Sequence, residues 1–142
     1  MKSDTVIAFD YGTKNIGVAV AQRQLGAASP LRLLKARDGI PDWKEIETLL
    51  KEWKPQTLVV GLPLNMDDSD NETTKRARKF ANRLEGRFNI KTELIDERLS
   101  TREAKNIAHE QKIFSGNFSG DYKNNPVDLI AACLILETYL NT

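Results

Sequence analysis

Cysteine and histidine are almost missing from this chain: Cys133 and His109 are the single examples of each among 142 residues. One thiol cannot form an intramolecular disulfide, and one Cys with one His cannot furnish a conventional zinc site. Cys133 stands among Ala131, Ala132, Leu134 and Ile135, so a buried free thiol is expected. His109 lies in a polar stretch with no identifiable Ser or Cys nucleophile and reads as a surface residue, not a general base. Also lacking are a charged-then-apolar leader and any apolar run of membrane-spanning length, so a cytoplasmic protein with no membrane partner is expected. Net charge is close to absent. With 21 Lys and Arg against 20 Asp and Glu the formal charge is +1, so global charge announces no nucleic-acid partner and local charge has to do so.

What is present is an ordinary globular balance, 40% hydrophobic and 29% charged, in a chain long enough to bury about 70% of its unfolded surface. No repeat or linker interrupts it, and residues 1–142 read as one domain. Residues 5–9 are β-branched and aromatic, residues 15–22 alternate Ile16, Val18 and Val20 with smaller groups, and Asp10-Tyr11-Gly12-Thr13 supplies a turn between them. Leu31, Leu33 and Leu34 mark a third strand. Asp42, three residues before Glu45, forms a capping-box pattern for a helix carrying Trp43, Ile46, Leu49, Leu50 and Trp53, which Pro55 stops. Residues 57–61 have the continuous apolar character of a buried parallel strand.

A polar stretch over 65–73 precedes a helix whose apolar face is Ala77, Phe80, Ala81, Leu84 and Phe88, with Asn89 as its stop. Residues 91–95 form a fifth strand, and Ser100 with Glu103 caps a helix running to about residue 110. Residues 111–125 are rich in Gly, Asn, Ser and Lys and, like 65–73, are expected to be mobile. Asn125-Pro126 opens the final helix. The order predicts an α/β fold with a mixed five-stranded sheet, antiparallel early and parallel late, flanked by helices.

Three carboxylates fall at element ends. Asp10 closes the first strand, Glu97 follows the strand over 91–95, and Asp128 lies in the first turn of the last helix. Each alone has an ordinary explanation, since Asp is common in turns and at helix N-termini. Together they carry more weight, because ligands of open α/β sheets gather beyond the carboxyl ends of strands. If the first and last strands are neighbours, Asp10 and Glu97 project from one edge and the last helix brings Asp128 to them. Clustered carboxylates repel unless a cation lies between. A hard divalent ion, Mg²⁺ or Mn²⁺, suits oxygen ligands and supports phosphodiester hydrolysis. Asp96 stands beside Glu97, and with Glu97 as the ligand it is the nearby decoy, because adjacent strand residues face opposite ways and the two are not both ligands.

Basic residues concentrate on one helix. Between residues 71 and 89 there are six, with Lys75, Lys79, Arg83 and Arg87 recurring every fourth position and Arg76 and Arg78 beside them, against two acids, Glu72 and Glu85. Such a stripe suits a phosphate backbone, though a solvated helix face has the same look. Phe80 and Phe88 lie on the apolar side, so base reading is not indicated.

The segments Phe9-Asp-Tyr-Gly-Thr13, Gly17-Val-Ala-Val20, Val60-Gly-Leu-Pro-Leu-Asn65, Asp96-Glu-Arg-Leu-Ser-Thr101, and Val127-Asp128 with Ala131-Ala132 occur in the order of a known family. The chain resembles the YqgF family, also called RuvX or Holliday junction resolvase-like proteins, over nearly its whole length. The resemblance implies a ribonuclease H-like fold and a nuclease acting at the 5′ end of 16S ribosomal RNA in ribosome biogenesis. By the same motifs, Asp10, Glu97 and Asp128 become the metal-binding catalytic set. Gly12 lets the hairpin turn beneath Asp10. Thr13 and Arg98 contact phosphate or orient the carboxylates. Two departures stand out: Asp68 occupies a position often held by glycine, and Pro126 replaces a basic residue, shifting phosphate contact to Lys123.

The expected partner is structured RNA, a precursor ribosomal RNA or ribosomal particle, met by a monomer or weak dimer. Cleavage of branched DNA is the competing enzyme reading, and a non-catalytic nucleic-acid-binding module is the third. Nucleotide binding, from the likeness of the Asp-x-Gly-Thr hairpin to that of actin-like kinases, ranks last because only one lobe is present.

Overall fold

The structure, a computed structural model, describes residues 4–63, 67, 69–96 and 126–141. Strands β1 (Thr5–Asp10) and β2 (Asn15–Gln22) form an antiparallel hairpin in unbroken register from Thr5↔Gln22 to Asp10↔Gly17. Strand β3 (Ala28–Arg37) continues the meander. A tight turn with positive φ at Asp38 (49°) and Gly39 (81°) then folds the two residues of β4 (Ile40–Pro41) against it. After helix α1 (Trp43–Trp53), β5 (Thr57–Leu62) returns parallel to β1. Helix α2 (Glu72–Phe88) leads to β6 (Lys91–Asp96), parallel to β5, and α3 (Pro126–Leu140) is the last described element.

The sheet order is β4-β3-β2-β1-β5-β6. The fold is α/β with a mixed sheet, as expected, but it has six strands where the sequence pattern predicts five. The extra strand, β4, is two residues long and too short to show alternation. The condition set for Asp10 and Glu97, that the first and last strands be neighbours, is not met. The crossover through α1 places β5 beside β1, and the next crossover steps outward, so β6 is separated from β1 by one strand.

Local chemistry explains the helix ends. Asp42 caps α1 by accepting from the Lys44 N–H at 3.0 Å. The reciprocal half of the expected box is not made, because Glu45 turns its carboxylate to Arg32 at 3.0 Å. Lys54 ends α1 in the left-handed region, followed by Pro55. Asn71 and Thr74 form the capping box of α2, and Asn89 ends it with φ 54°. Asn71 and Thr74 also donate to the Pro63 carbonyl, at 2.9 and 2.7 Å, tying the end of β5 to the start of α2. Residues 71–73 therefore belong to the helix start and are not loop.

Alternation divides the core into two layers. Ile7 and Phe9 of β1 and Tyr11 just beyond it, with Ile16, Val18 and Val20 of β2, face α1 and α2. Val6 and Ala8, with Ala19, Ala21 and Val59, face α3. Helix α3 is apolar on every side, and Leu129, Ile130, Ala132, Cys133, Leu134, Ile135 and Leu136 are buried, the pattern of an interior helix. The Cys133 thiol is buried and free, as expected, and desolvation with the nearby Glu137 carboxylate pushes it up to about 12. Among the described residues, no helix is long and apolar enough to cross a membrane.

Candidate metal centre and nucleic-acid interface

The site starts from strand parity. Asp10 shares the α3-facing parity of Val6 and Ala8, and its partner Gly17 shares that of Ala19 and Ala21. On the other flank, Phe9 pairs with Val60, which sets Asp10 level with Gly61 of β5. Asp10 is thus bordered by a glycine on each neighbouring strand.

Helix α3 fills one of these gaps. A Cβ on Gly17 would overlap the main-chain carbonyl of Asp128, so the glycine is what lets the first turn of α3 settle directly on β2. Directly paired residues in an antiparallel ladder lie about 4.5–5.5 Å apart between Cα atoms, and the first turn of α3 therefore stands immediately over the Asp10 pair. Asp10 and Asp128, remote in sequence, belong to one corner of the molecule. Asp128 is half-buried, and desolvation raises its carboxyl above the ordinary carboxylate value. Gly12 beneath this corner is required sterically, because a Cβ there would overlap the Asn15 carbonyl.

Asp96 pairs with Leu62, which faces the α1–α2 layer, whereas Ile95 packs toward α3. Asp96 therefore faces away from Asp10 and Asp128, in agreement with its reading as the decoy. Glu97, Arg98 and Lys123 lie outside the described residues, as do His109, the expected Ser100–Glu103 cap and the loop over 111–125. Among the described residues no group of three potential ligands occurs; the two acidic residues whose main chains meet at this corner, through Gly17, are Asp10 and Asp128. Their donors are all oxygen, which fits a hard divalent ion and not zinc in a thiolate or imidazole cage.

The basic helix divides into committed and uncommitted cations. Arg78 pairs with Asp70 at 2.9 Å, and the hydrogen bond holds the Asp70 carboxyl below its ordinary value. Arg76 pairs with Asp38 at 2.9 Å and reaches Glu72 at 3.7 Å. Arg87 places its guanidinium 4.4 Å from the centre of the Trp43 ring. Lys75, Lys79 and Arg83 are exposed and make no ion pair among the described residues. Phe80 is core, as expected, with its ring 5.6 Å from Phe9 and 5.2 Å from Tyr11.

Sequence reasoning named Gly17 only within a motif and missed its role. The available signal was a glycine inside an otherwise β-branched strand, which marks close backbone approach. It also gave no role to Tyr11, whose buried hydroxyl donates to the Gly39 carbonyl at 3.0 Å and locks the β3–β4 turn to the end of β1.

Comparison with known proteins agrees with this architecture. The family described as "RuvX: Holliday junction resolvase" matches residues 4–142. A protein of Saccharophagus degradans named "Putative pre-16S rRNA nuclease" is 53% identical over 139 residues, covering 98% of this chain and 94% of its own. A protein of the same name from Escherichia coli O7:K1 is 55% identical over 137 residues, covering 96% of each. The structure of T. thermophilus RuvC in complex with Holliday junction substrate aligns with TM-score 0.62 at 14% identity, covering 96% of this chain and 93% of that one. The yeast mitochondrial resolvase Ydc2 aligns with TM-score 0.57 at 11% identity, covering 97% of this chain and 78% of that one. At such identities the likeness is one of fold, and the fold is ribonuclease H-like. With the family matching from end to end and relatives sharing more than half of their residues, this chain belongs to the RuvX family.

Proposed function

We propose that this protein is a metal-dependent nuclease that processes the 5′ end of pre-16S ribosomal RNA, with Asp10, Glu97 and Asp128 as its acidic set. The observation that supports the reading is the packing of the Asp128 main chain on Gly17, the ladder partner of Asp10, which joins two acidic residues from opposite ends of the chain at one corner of the sheet. The names borne by the family's close relatives support the substrate.

A divalent ion, Mg²⁺ or Mn²⁺, would be held by Asp10 and Asp128 with Glu97 completing the set, and when bound it supplies charge stabilisation at the phosphodiester and an activated water. The chain's own contribution is placement. Asp10 is fixed by the β1–β2 ladder and Asp128 by the docking of α3 on Gly17. The backbone is drawn in by Lys75, Lys79 and Arg83, with Arg98 and Lys123 as further phosphate contacts. Binding through phosphates alone tolerates many sequences and selects shape.

Cleavage of branched DNA is the second reading, favoured by the family's description. One assay separates them. Precursor 16S rRNA and a four-way DNA junction are incubated with purified protein in Mg²⁺, in Mn²⁺ and in chelator. Metal-dependent shortening of the RNA alone supports the proposal. Paired nicks in the junction with intact RNA would replace it with the resolvase reading, and tight binding without cleavage of either would leave a binding module.

A further inference from the structure

The exposed cations of α2 do not all belong to a featureless stripe, and they do not lie on the carboxylate side of the sheet. Lys79 and Arg83 line a cleft of about 170 Å³ whose other walls are Tyr11, Arg76, Trp43 and the turn at Asp38 and Gly39. Tyr11 faces the α1–α2 layer, the opposite face from Asp10 and α3. The cleft and the acidic corner therefore sit back to back across the end of β1, one residue apart in the chain.

The cleft walls are fixed before any ligand arrives. The Tyr11 hydroxyl donates to the Gly39 carbonyl at 3.0 Å. Gly39 can be no other residue, since its φ is 81° and a Cβ would overlap the Tyr11 hydroxyl. Arg76 holds Asp38 at 2.9 Å and so neutralises the one carboxylate in the lining. Lys79 and Arg83 remain, two positive charges with no partner among the described residues. The aromatic wall is already engaged: Trp43 carries Arg87 over its ring and stacks on Phe80 at 5.8 Å. A ligand here meets two uncommitted cations, a polar turn and the exposed side chain of Ile40, but no open ring face for a base to stack on, so the charge selects a phosphate over a base.

We infer that this cleft holds a backbone phosphate of the RNA strand other than the one cleaved, so that the strand crosses the β1–β2 turn from the α2 face to the α3 face. Lys14, exposed on that turn, lies on the path. The statement about which phosphate is cleaved rests on the nuclease reading above; the anchoring itself does not. Two-point attachment makes the second contact intramolecular, so fragments too short to reach both faces lose that gain.

Binding is measured in chelator, where no cleavage occurs, with a single-stranded RNA oligonucleotide as probe. The chain has two tryptophans, and Trp53→Phe leaves Trp43 in the cleft wall as the sole tryptophan, excited apart from the tyrosines at the red edge of its absorption. RNA should change its emission saturably, in the native background and with Asp10→Asn alike. Combined Lys79→Ala and Arg83→Ala should weaken binding about tenfold or more and lower the log–log salt slope by about 0.7, the value for one single-strand phosphate contact. The charge-preserving pair Lys79→Arg and Arg83→Lys should retain binding. Anisotropy of labelled RNA makes the same comparison without altering Trp53. A Trp43 signal indifferent to saturating RNA, or an unchanged salt slope in the alanine pair, overturns the inference. RNA that binds this way but is never cleaved in metal would sink the nuclease reading and leave the anchor standing.

Discussion

Gly17 and Asp128 share a contact that no other residue type at position 17 could make, because a Cβ there would overlap the Asp128 carbonyl. A strand glycine thereby sets the height of α3 above the sheet, and with it the position of a carboxylate beside Asp10. Gly17→Ala should lift the first turn of α3 and cost about 1–3 kcal/mol as an overpacking change. Divalent-ion affinity should fall with it. Thermal melting with and without Mg²⁺ checks both effects in one protein.

Gly86 provides the contrast. It lies on the exposed side of α2, and a Cβ there meets nothing within 4 Å. Gly86→Ala should stabilise the protein by about 0.5–1 kcal/mol through helix propensity, with RNA cleavage unchanged. Urea denaturation reads the gain, and a loss of stability would show that α2 is not the regular helix described.

Asp128 is half-buried, and desolvation raises its carboxyl above the ordinary value. Asp128→Asn removes a charge that the metal-free fold holds at a cost. Without divalent ion this variant should melt no lower than the native protein, while the gain in melting temperature that Mg²⁺ gives the native protein should vanish. Loss of stability in both conditions would mean that Asp128 serves the fold and not an ion.

At the far end of α3, Tyr139 donates to Glu93 of β6, and that hydrogen bond, assisted by Lys91, holds the Glu93 carboxyl below its ordinary value despite partial burial. A depressed carboxyl contributes stability that is present above its unfolded value and is lost as pH falls through the folded one. Tyr139→Phe should therefore cost little at neutral pH, below about 1 kcal/mol for a pair that water still reaches, and should flatten the acid limb of the stability profile. Melting curves between neutral pH and the acid transition test this.

Local chemistry was the readable part of the sequence. Asp42, Asn89 and Pro126 mark helix ends because caps and proline act within a few residues, and the Phe80 face was visible from its spacing. Strand order was not readable in the same way. That β5 stands between β1 and β6 depends on crossovers whose direction no local residue encodes, and β4 is too short to have a period. For the site, Asp10 and Asp128 could be named as element ends. The reason they meet, a missing Cβ at Gly17, appears only when α3 is laid on the sheet. The division of the α2 cations was hidden too, because Asp38 and Asp70, which occupy Arg76 and Arg78, are not helical neighbours of their partners.

The central claim is that Asp10 and Asp128 act together on one divalent ion to cleave RNA. Its most direct test is the single-turnover rate on precursor 16S rRNA, across a Mg²⁺ titration, for the native protein, Asp10→Asn and Asp128→Asn, each confirmed folded. The account predicts a metal-dependent native rate, a fall of orders of magnitude in either variant that added Mg²⁺ does not restore, and RNA affinity retained in Asp10→Asn. Cleavage by folded Asp10→Asn at the native rate would contradict it.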